Sequence, residues 1–418
     1  MICLLPHCAY LSETSRMLEL HRALTELGLP VRVAIHGGPH ERLLAGLPYD
    51  VLGPGLSSAR AARFVGSAVG LGDPRQSMYD DDELRSYVQA EAEYFRAHGI
   101  TVAVTGFTLT TLLSSRLAGV RVVTEHAGSF VPPVFERRLL PAPTYPVDPR
   151  LRRAPKWLSR FLINRTSNRT TAYCGGFNRV AESLGIEGVP SLSALLLGDL
   201  SLVPEVPEVL GISAADLATW TPEGRVGYRP GSRLTAVGPL FAHLDLPLPD
   251  RVRKFLNHPG PTIYLAMTST PSTQVRAAIT ALSTLDTRIL VAGTIHDLTD
   301  LGTDRILIEG TLPSHLVMPQ VDLAITTGGQ GSTQTAMAAG TPLLGIPLHI
   351  EQDLNIALLE RLGAARRAAP TDNLATIAAQ MLDNPSHRES AVQIQKLYAA
   401  ADGPAEAAHA IAGVAGVR

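Results

Sequence analysis

The stretch ITTGGQGSTQTAMAAGTPLLGIPLHIEQDLN, residues 325 to 355, carries the side chains best equipped for chemistry in this 418-residue sequence. An apolar strand runs into Thr327, Gly328, Gly329 and Gly331, and a helical stretch opens with Ser332 and Thr333. Glycines lack a Cβ, so backbone N–H groups in such a turn can approach an anion, and the following helix presents its positive end there. Ser332 and Thr333 are expected to cap that helix and to add hydroxyl donors. The pattern alone reads equally as a tight strand-to-helix turn that holds no ligand. Further on stands the acid-amide pair Glu351 and Gln352.

Position gives this turn its meaning. Short apolar runs alternate with stretches of helical period along the whole chain, the signature of parallel α/β layers. ICLLP (2–6), VRVAIHGG (31–38), VAVTG (102–106) and VRVVTEH (120–126) read as strands, with helices over 15–28, 81–99 and 109–119 between them. TIYLAM (262–267) begins a second series, continued by RILVAGT, RILIEGTL, VDLAITTGG and PLLGIPL. Five prolines from 239 to 261 mark the change of unit. The expected organisation is a doubly wound domain over 1–240, a second over 241–385, and an Ala-rich helical tail over 386–418, with a cleft between the two domains. Ligands of such folds bind at the carboxyl ends of the strands, where the glycine turn falls.

Composition narrows the partners. Charged residues make up 18% of the chain and the formal net charge is −2, which excludes a disordered chain and a global polyanion-binding surface. Lys156, Lys254 and Lys396 are the only lysines, a bias that fits a GC-rich bacterial genome. Cys3, Cys8 and Cys174 are too few and too irregular for a disulfide framework or a zinc site. No run approaches the roughly 20 apolar residues of a membrane helix, and MICLLPHCAY lacks the basic start of a signal peptide. A reducing, cytoplasmic setting without stable membrane insertion or nucleic acid is therefore expected, as a monomer or homodimer. The acidic run Asp80, Asp81 and Asp82 reads as a solvated helix start and not as a metal site.

The 325–355 stretch resembles the donor signature of the family-1 nucleotide-sugar glycosyltransferases of GT-B fold. Thr326, Gly328, Gly329, Gly331, Ser332, Thr333, Ala336, Gly340, Pro342, Pro347, Glu351, Gln352 and Asn355 stand at matching positions. The resemblance implies two Rossmann-like parallel-sheet domains facing a cleft. It also implies that the turn and helix N-terminus hold the diphosphate of a UDP- or dTDP-sugar co-substrate, with Glu351 and Gln352 on the sugar hydroxyls. Ser269 and Thr270, in TSTP, would face the phosphates, and Leu312 and Pro313 lie where the family stacks the base. Dipoles and backbone donors would neutralise the leaving group, so neither cofactor nor metal is called for.

Three departures bear on activity. The signature His is Thr327 and the ribose-binding acid is Thr335. Alignment of the first helix puts Glu13 where the family's catalytic His sits, and Gly106 near the acid that orients that His. Glu13 is the candidate base, since a carboxylate in a water-poor site can take an alcohol's proton. It reads alternatively as an ordinary first-turn acid behind Ser12. His7 is the next candidate, and His126 a third. Phe130, Phe135, Leu139, Leu140 and Trp157, in and after the Pro- and Arg-rich 130–160 excursion, are expected to line a pocket for a small, partly apolar natural-product acceptor. The function implied is inverting sugar transfer to a hydroxyl; the alternative is a non-catalytic homologue serving as a binding or accessory subunit.

Overall fold

A computed structural model describes residues 1–418 apart from 67–72, 126–128, 146–152, 242, 243, 245, 269, 295, 370, 417 and 418. Two units are present, one built from Met1–Ala142, Val147–Ala242 and Asp402–Arg418, the other from Pro143–Pro146 and His243–Ala401.

The first unit holds a seven-stranded parallel sheet in the order β3-β2-β1-β4-β5-β6-β7. Its strands are β1 (Ile2–Leu5), β2 (Val31–Ile35), β3 (Asp50–Val51), β4 (Val102–Thr105), β5 (Arg121–Glu125), β6 (Leu200–Val203) and β7 (Arg233–Ala236). The chain winds outward from β1 and then returns to its other side, so β1 and β4 flank the switch point. β1 and β4 are buried at every residue, as their unbroken apolar runs require for a sheet covered on both faces. The helix Leu11–Glu26 follows β1 and presses Met17, Leu20 and Leu24 onto the sheet beside Ile2, Leu4 and Val33. Gly28, at φ +71°, turns the chain out of that helix.

The second unit repeats the design with six strands in the order β10-β9-β8-β11-β12-β13. These are β8 (Thr262–Ala266), β9 (Arg288–Ala292), β10 (Ile306–Glu309), β11 (Leu323–Thr326), β12 (Leu343–Gly345) and β13 (Ala365–Arg367). All are paired in parallel, and the switch point lies between β8 and β11. Ile263, Leu265, Ile289, Val291, Ile325 and Leu344 form the sheet side of its core.

The expected tail over 386–418 is instead divided between the units. The helix Ser386–Ala399 stays with the second, where Gln395 donates to the carbonyl of Ala338 at 3.0 Å and Arg388 to that of Gly340 at 3.2 Å. The helix Gly403–Ala415 returns to the first, where Ala407, Ala408, Ile411 and Val414 join the core around Leu20 and Leu24. An apolar helical stripe of this kind has to be covered, and the stripe on the first helix supplies the cover. Gly403 permits the approach, because a Cβ there would lie 1.9 Å from the carbonyl oxygen of Pro239.

Candidate active site

At the switch point of the second unit, β11 ends at Thr326 and the helix Gln330–Ala338 begins three residues later. Its N-cap is Gly329, which has no side chain to offer. Ser332 and Thr333 are thus inside the helix and not at its cap. The Thr333 hydroxyl turns back onto the carbonyls of Gln330 and Gly329, at 2.9 and 3.3 Å. A helix start whose N-cap is a glycine can present first-turn N–H groups to an anion.

The glycines have separate jobs. Gly328 sits at φ +85°, and a Cβ there would lie 2.5 Å from Cδ1 of Ile356. Its lack of a side chain serves the turn and the packing of the helix Ile350–Arg361. Gly329 has extended backbone, φ −61° and ψ 148°, and a Cβ there would meet no atom within 4 Å. Gly328→Ala is therefore expected to cost about 1–3 kcal/mol in urea unfolding, and Gly329→Ala under about 0.5 kcal/mol. Equal losses for the two would contradict this division.

Behind the turn, Gln352 is a brace. Its Oε1 accepts from the Leu348 N–H at 2.8 Å, and its Nε2 donates to Thr327 Oγ1 at 3.3 Å, leaving one amide hydrogen. Glu351 is partly exposed; its Oε1 accepts from Asn355 Nδ2 at 2.6 Å, and the same amide nitrogen donates to the Gly328 carbonyl at 3.1 Å. Thr335, in place of the ribose-binding acid, directs its hydroxyl to the Gly331 carbonyl at 2.7 Å. Across the switch point, Thr270 is buried and its hydroxyl has no hydrogen-bond partner. Ser269 lies outside the described residues. Leu312 and Pro313 are buried at the start of the helix Ser314–Val317.

Two groups here had no clear sequence signal. His296 follows β9 and has a buried Nε2 without a hydrogen-bond partner. Asp353, next to Gln352 in EQD, is fully buried and accepts from Thr144 N at 2.8 Å, Thr144 Oγ1 at 2.6 Å and Arg367 Nη1 at 2.8 Å. A clip spanning 209 residues of sequence is invisible to local pattern.

In the first unit Glu13 occupies the corresponding switch point. It lies in the first turn of the helix Leu11–Glu26, is 2% exposed, and accepts from His7 N at 2.9 Å and Phe107 N at 2.8 Å. These two donors belong to the loops after β1 and β4, so one carboxylate joins both sides of the switch. Gly106 makes room for it: a Cβ there would lie 2.6 Å from Glu13 Cγ and 2.8 Å from Oε1. Burial pushes the Glu13 carboxyl up to about 7, against the opposing pull of the Phe107 N–H and Arg16. Arg16 Nε is 2.8 Å from Glu125 Oε1 in a buried ion pair, and burial raises the Glu125 carboxyl too.

His7 is buried, and burial, followed by the charge of His36, lowers its imidazole to about 3. Its Nδ1 accepts from Ala9 N at 3.4 Å, which puts the ring proton of the neutral form on Nε2. His7 lines a cavity of about 10 Å³ with His36, Leu56, Phe64, Tyr79, Tyr87 and Thr108, room for about one water. The expected acceptor-lining set is elsewhere. Phe130, Phe135 and Leu140 are buried, the two phenyl rings packing edge-on with centroids 4.7 Å apart, and Trp157 is 69% exposed. Three of the five are core side chains and one faces solvent. His126 lies outside the described residues. Asp81 pairs with Arg179 at 2.6 Å and Asp82 with Arg85 at 2.6 Å, as a solvated helix start should.

Comparison with known proteins places this geometry. Residues 276–414 match the family model of the erythromycin biosynthesis protein CIII-like C-terminal domain. The vancomycin aglycone glucosyltransferase of Amycolatopsis orientalis is 25% identical over 401 residues, 92% of this chain and 91% of that protein. A PGL/p-HBAD biosynthesis glycosyltransferase of Mycobacterium tuberculosis is 22% identical over 335 residues, 77% of this chain and 72% of its own. Among solved structures, the glycosyltransferase VinC in complex with dTDP superposes with a TM-score of 0.64 at 18% identity, over 100% of both chains. The spinosyn forosaminyltransferase SpnP gives 0.63 at 17% identity, over 99% of both. The fold is that of these proteins, GT-B.

Proposed function

We propose that this GT-B chain is a family-1 glycosyltransferase that moves a sugar from a UDP- or dTDP-sugar to a hydroxyl of a small, partly apolar acceptor, with inversion and without a metal. The observation that carries the reading is the helix start with a glycine N-cap, Gly329, at a topological switch point, with the buried, unpartnered Thr270 hydroxyl in the loop after the neighbouring strand β8. The relative VinC, crystallised with dTDP, supports a nucleoside diphosphate as the ligand.

In this reading the first-turn N–H groups and Thr270 take the diphosphate, whose charge grows as the glycosidic bond breaks. Thr327, with its own hydrogen still to give, replaces a His at the same point. Glu351 and the remaining amide hydrogen of Gln352 bind sugar hydroxyls. The acceptor oxygen attacks the anomeric carbon, the nucleoside diphosphate leaves with the bonding pair, and the acceptor proton passes to Glu13. One displacement inverts the anomeric centre. Glu13 outranks His7 as base, because a group near 7 is matched to neutral pH while one near 3 is a weak proton acceptor.

The test is sugar transfer measured alongside calorimetry on Gln352→Ala. Affinity for the nucleotide sugar should fall by about tenfold, with the bare nucleotide little affected, the usual result of losing a hydrogen-bonding group in a site. Equal loss for both ligands would remove the Glu351–Gln352 pair from the sugar.

A further inference from the structure

The helix Lys156–Thr166 buries only one of its eleven residues, Ser159. It is held down by Asn164, which donates to the Leu140 carbonyl at 3.0 Å and accepts from the Leu140 N–H at 3.1 Å. On the side away from Ser159, the side that also carries Asn164, stand Trp157, 69% exposed, and Phe161, 46% exposed, one turn apart. Trp157 is the most exposed large apolar side chain among the described residues. Exposed aromatics on a helix that already has a docked side call for a second environment.

Charge identifies that environment. Arg153, Lys156, Arg160, Arg165 and Arg169 are all exposed on or beside this helix. From 149 to 181 the sequence contains no Asp or Glu, in a chain whose net charge is −2. Arg165 lies 6.0 Å from the centroid of the Phe161 ring, so cation and aromatic share one surface. Indole and phenyl rings ringed by Lys and Arg suit the boundary between headgroups and acyl chains of an anionic bilayer. No described helix is long and apolar enough to cross a membrane, so the contact would be lateral.

We propose that the outward face of the helix Lys156–Thr166 is an interfacial membrane-docking surface, with Trp157 and Phe161 entering an anionic lipid headgroup layer and the flanking cations holding its charge. This surface acts independently of the sugar-transfer site.

The chain supplies its own reporter, since it has two tryptophans and the other, Trp220, is 4% exposed. The full-length protein would be mixed with vesicles of phosphatidylcholine alone or with phosphatidylglycerol, then sedimented, and tryptophan emission recorded. The expected result is sedimentation and a blue shift with the anionic vesicles only, both weakened by salt as screened charge requires. Trp157→Phe should keep the sedimentation and lose the blue shift. Trp157→Ser with Phe161→Ser should lower the bound fraction by about tenfold at an unchanged melting temperature. Absence of sedimentation, equal binding to neutral vesicles, or full binding by the double variant would overturn the proposal. So would a dimer in analytical ultracentrifugation that the double variant abolishes while vesicles bind nothing, since the occupant would then be a second copy.

Discussion

Glu13→Gln should lower sugar transfer at least about a hundredfold while nucleotide-sugar affinity stays within a few-fold, the pattern of a lost general base. The substitution keeps the side chain's size in a pocket with no spare volume around Gly106. It also leaves one of two N–H donors, His7 or Phe107, facing an amide hydrogen, so melting temperature has to be followed in parallel. The wild-type pH profile gives an independent handle. A base has to be ionised, and burial holds the Glu13 carboxyl near 7. Transfer should therefore rise with pH up to about 7 and fall about tenfold per unit below it. A profile limited only below pH 5, or transfer by Glu13→Gln within a few-fold of wild type, would remove Glu13 from the chemistry.

Gly106→Ala is expected to be nearly as damaging, although residue 106 carries no reactive group. Its new methyl would sit 2.6 Å from Glu13 Cγ and 3.1 Å from Cδ, so the carboxylate has to leave the N–H of Phe107. Loss of transfer of about a hundredfold should follow from displacement of the base by even a fraction of an ångström. The two positions should be coupled: in a Glu13→Ala background, Gly106→Ala should cost little more. Additive losses would show that Gly106 acts through something other than Glu13. The coupling also explains a pair of sequence departures that look separate on the page. Glu13 in this position leaves no room for a Cβ at residue 106.

Much of the architecture was legible because it rests on local pattern. The unbroken apolar runs of β1, β4, β8, β9 and β11 are long enough to declare buried parallel strands, and Gly28 and the turn after β11 mark their punctuation. Four strands escaped: β3 has two residues and β13 three, too few for any period to show, and β6 and β7 have four each. The tail misled because helical period tells that a stripe will be covered and not by what. At the site, residue types were legible and partners were not. Glu13 takes one hydrogen bond from 94 residues away, and Asp353 takes two from 209 residues away. The surroundings of the expected acceptor-lining residues were illegible for the same reason. Phe130 and Trp157 look alike in a Pro-rich stretch, yet one is 8% exposed and the other 69%.

The central claim is that the turn behind β11 binds a nucleoside diphosphate, and thermal unfolding tests it most directly. The purified chain would be melted with UDP, dTDP and GDP and with their glucose conjugates. A ligand at 100 times its dissociation constant should stabilise by about 2.7 kcal/mol. UDP or dTDP, together with its sugar, should raise the melting temperature. No shift with any of the six at millimolar concentration would contradict that claim, and the fold would then serve a non-catalytic binding role.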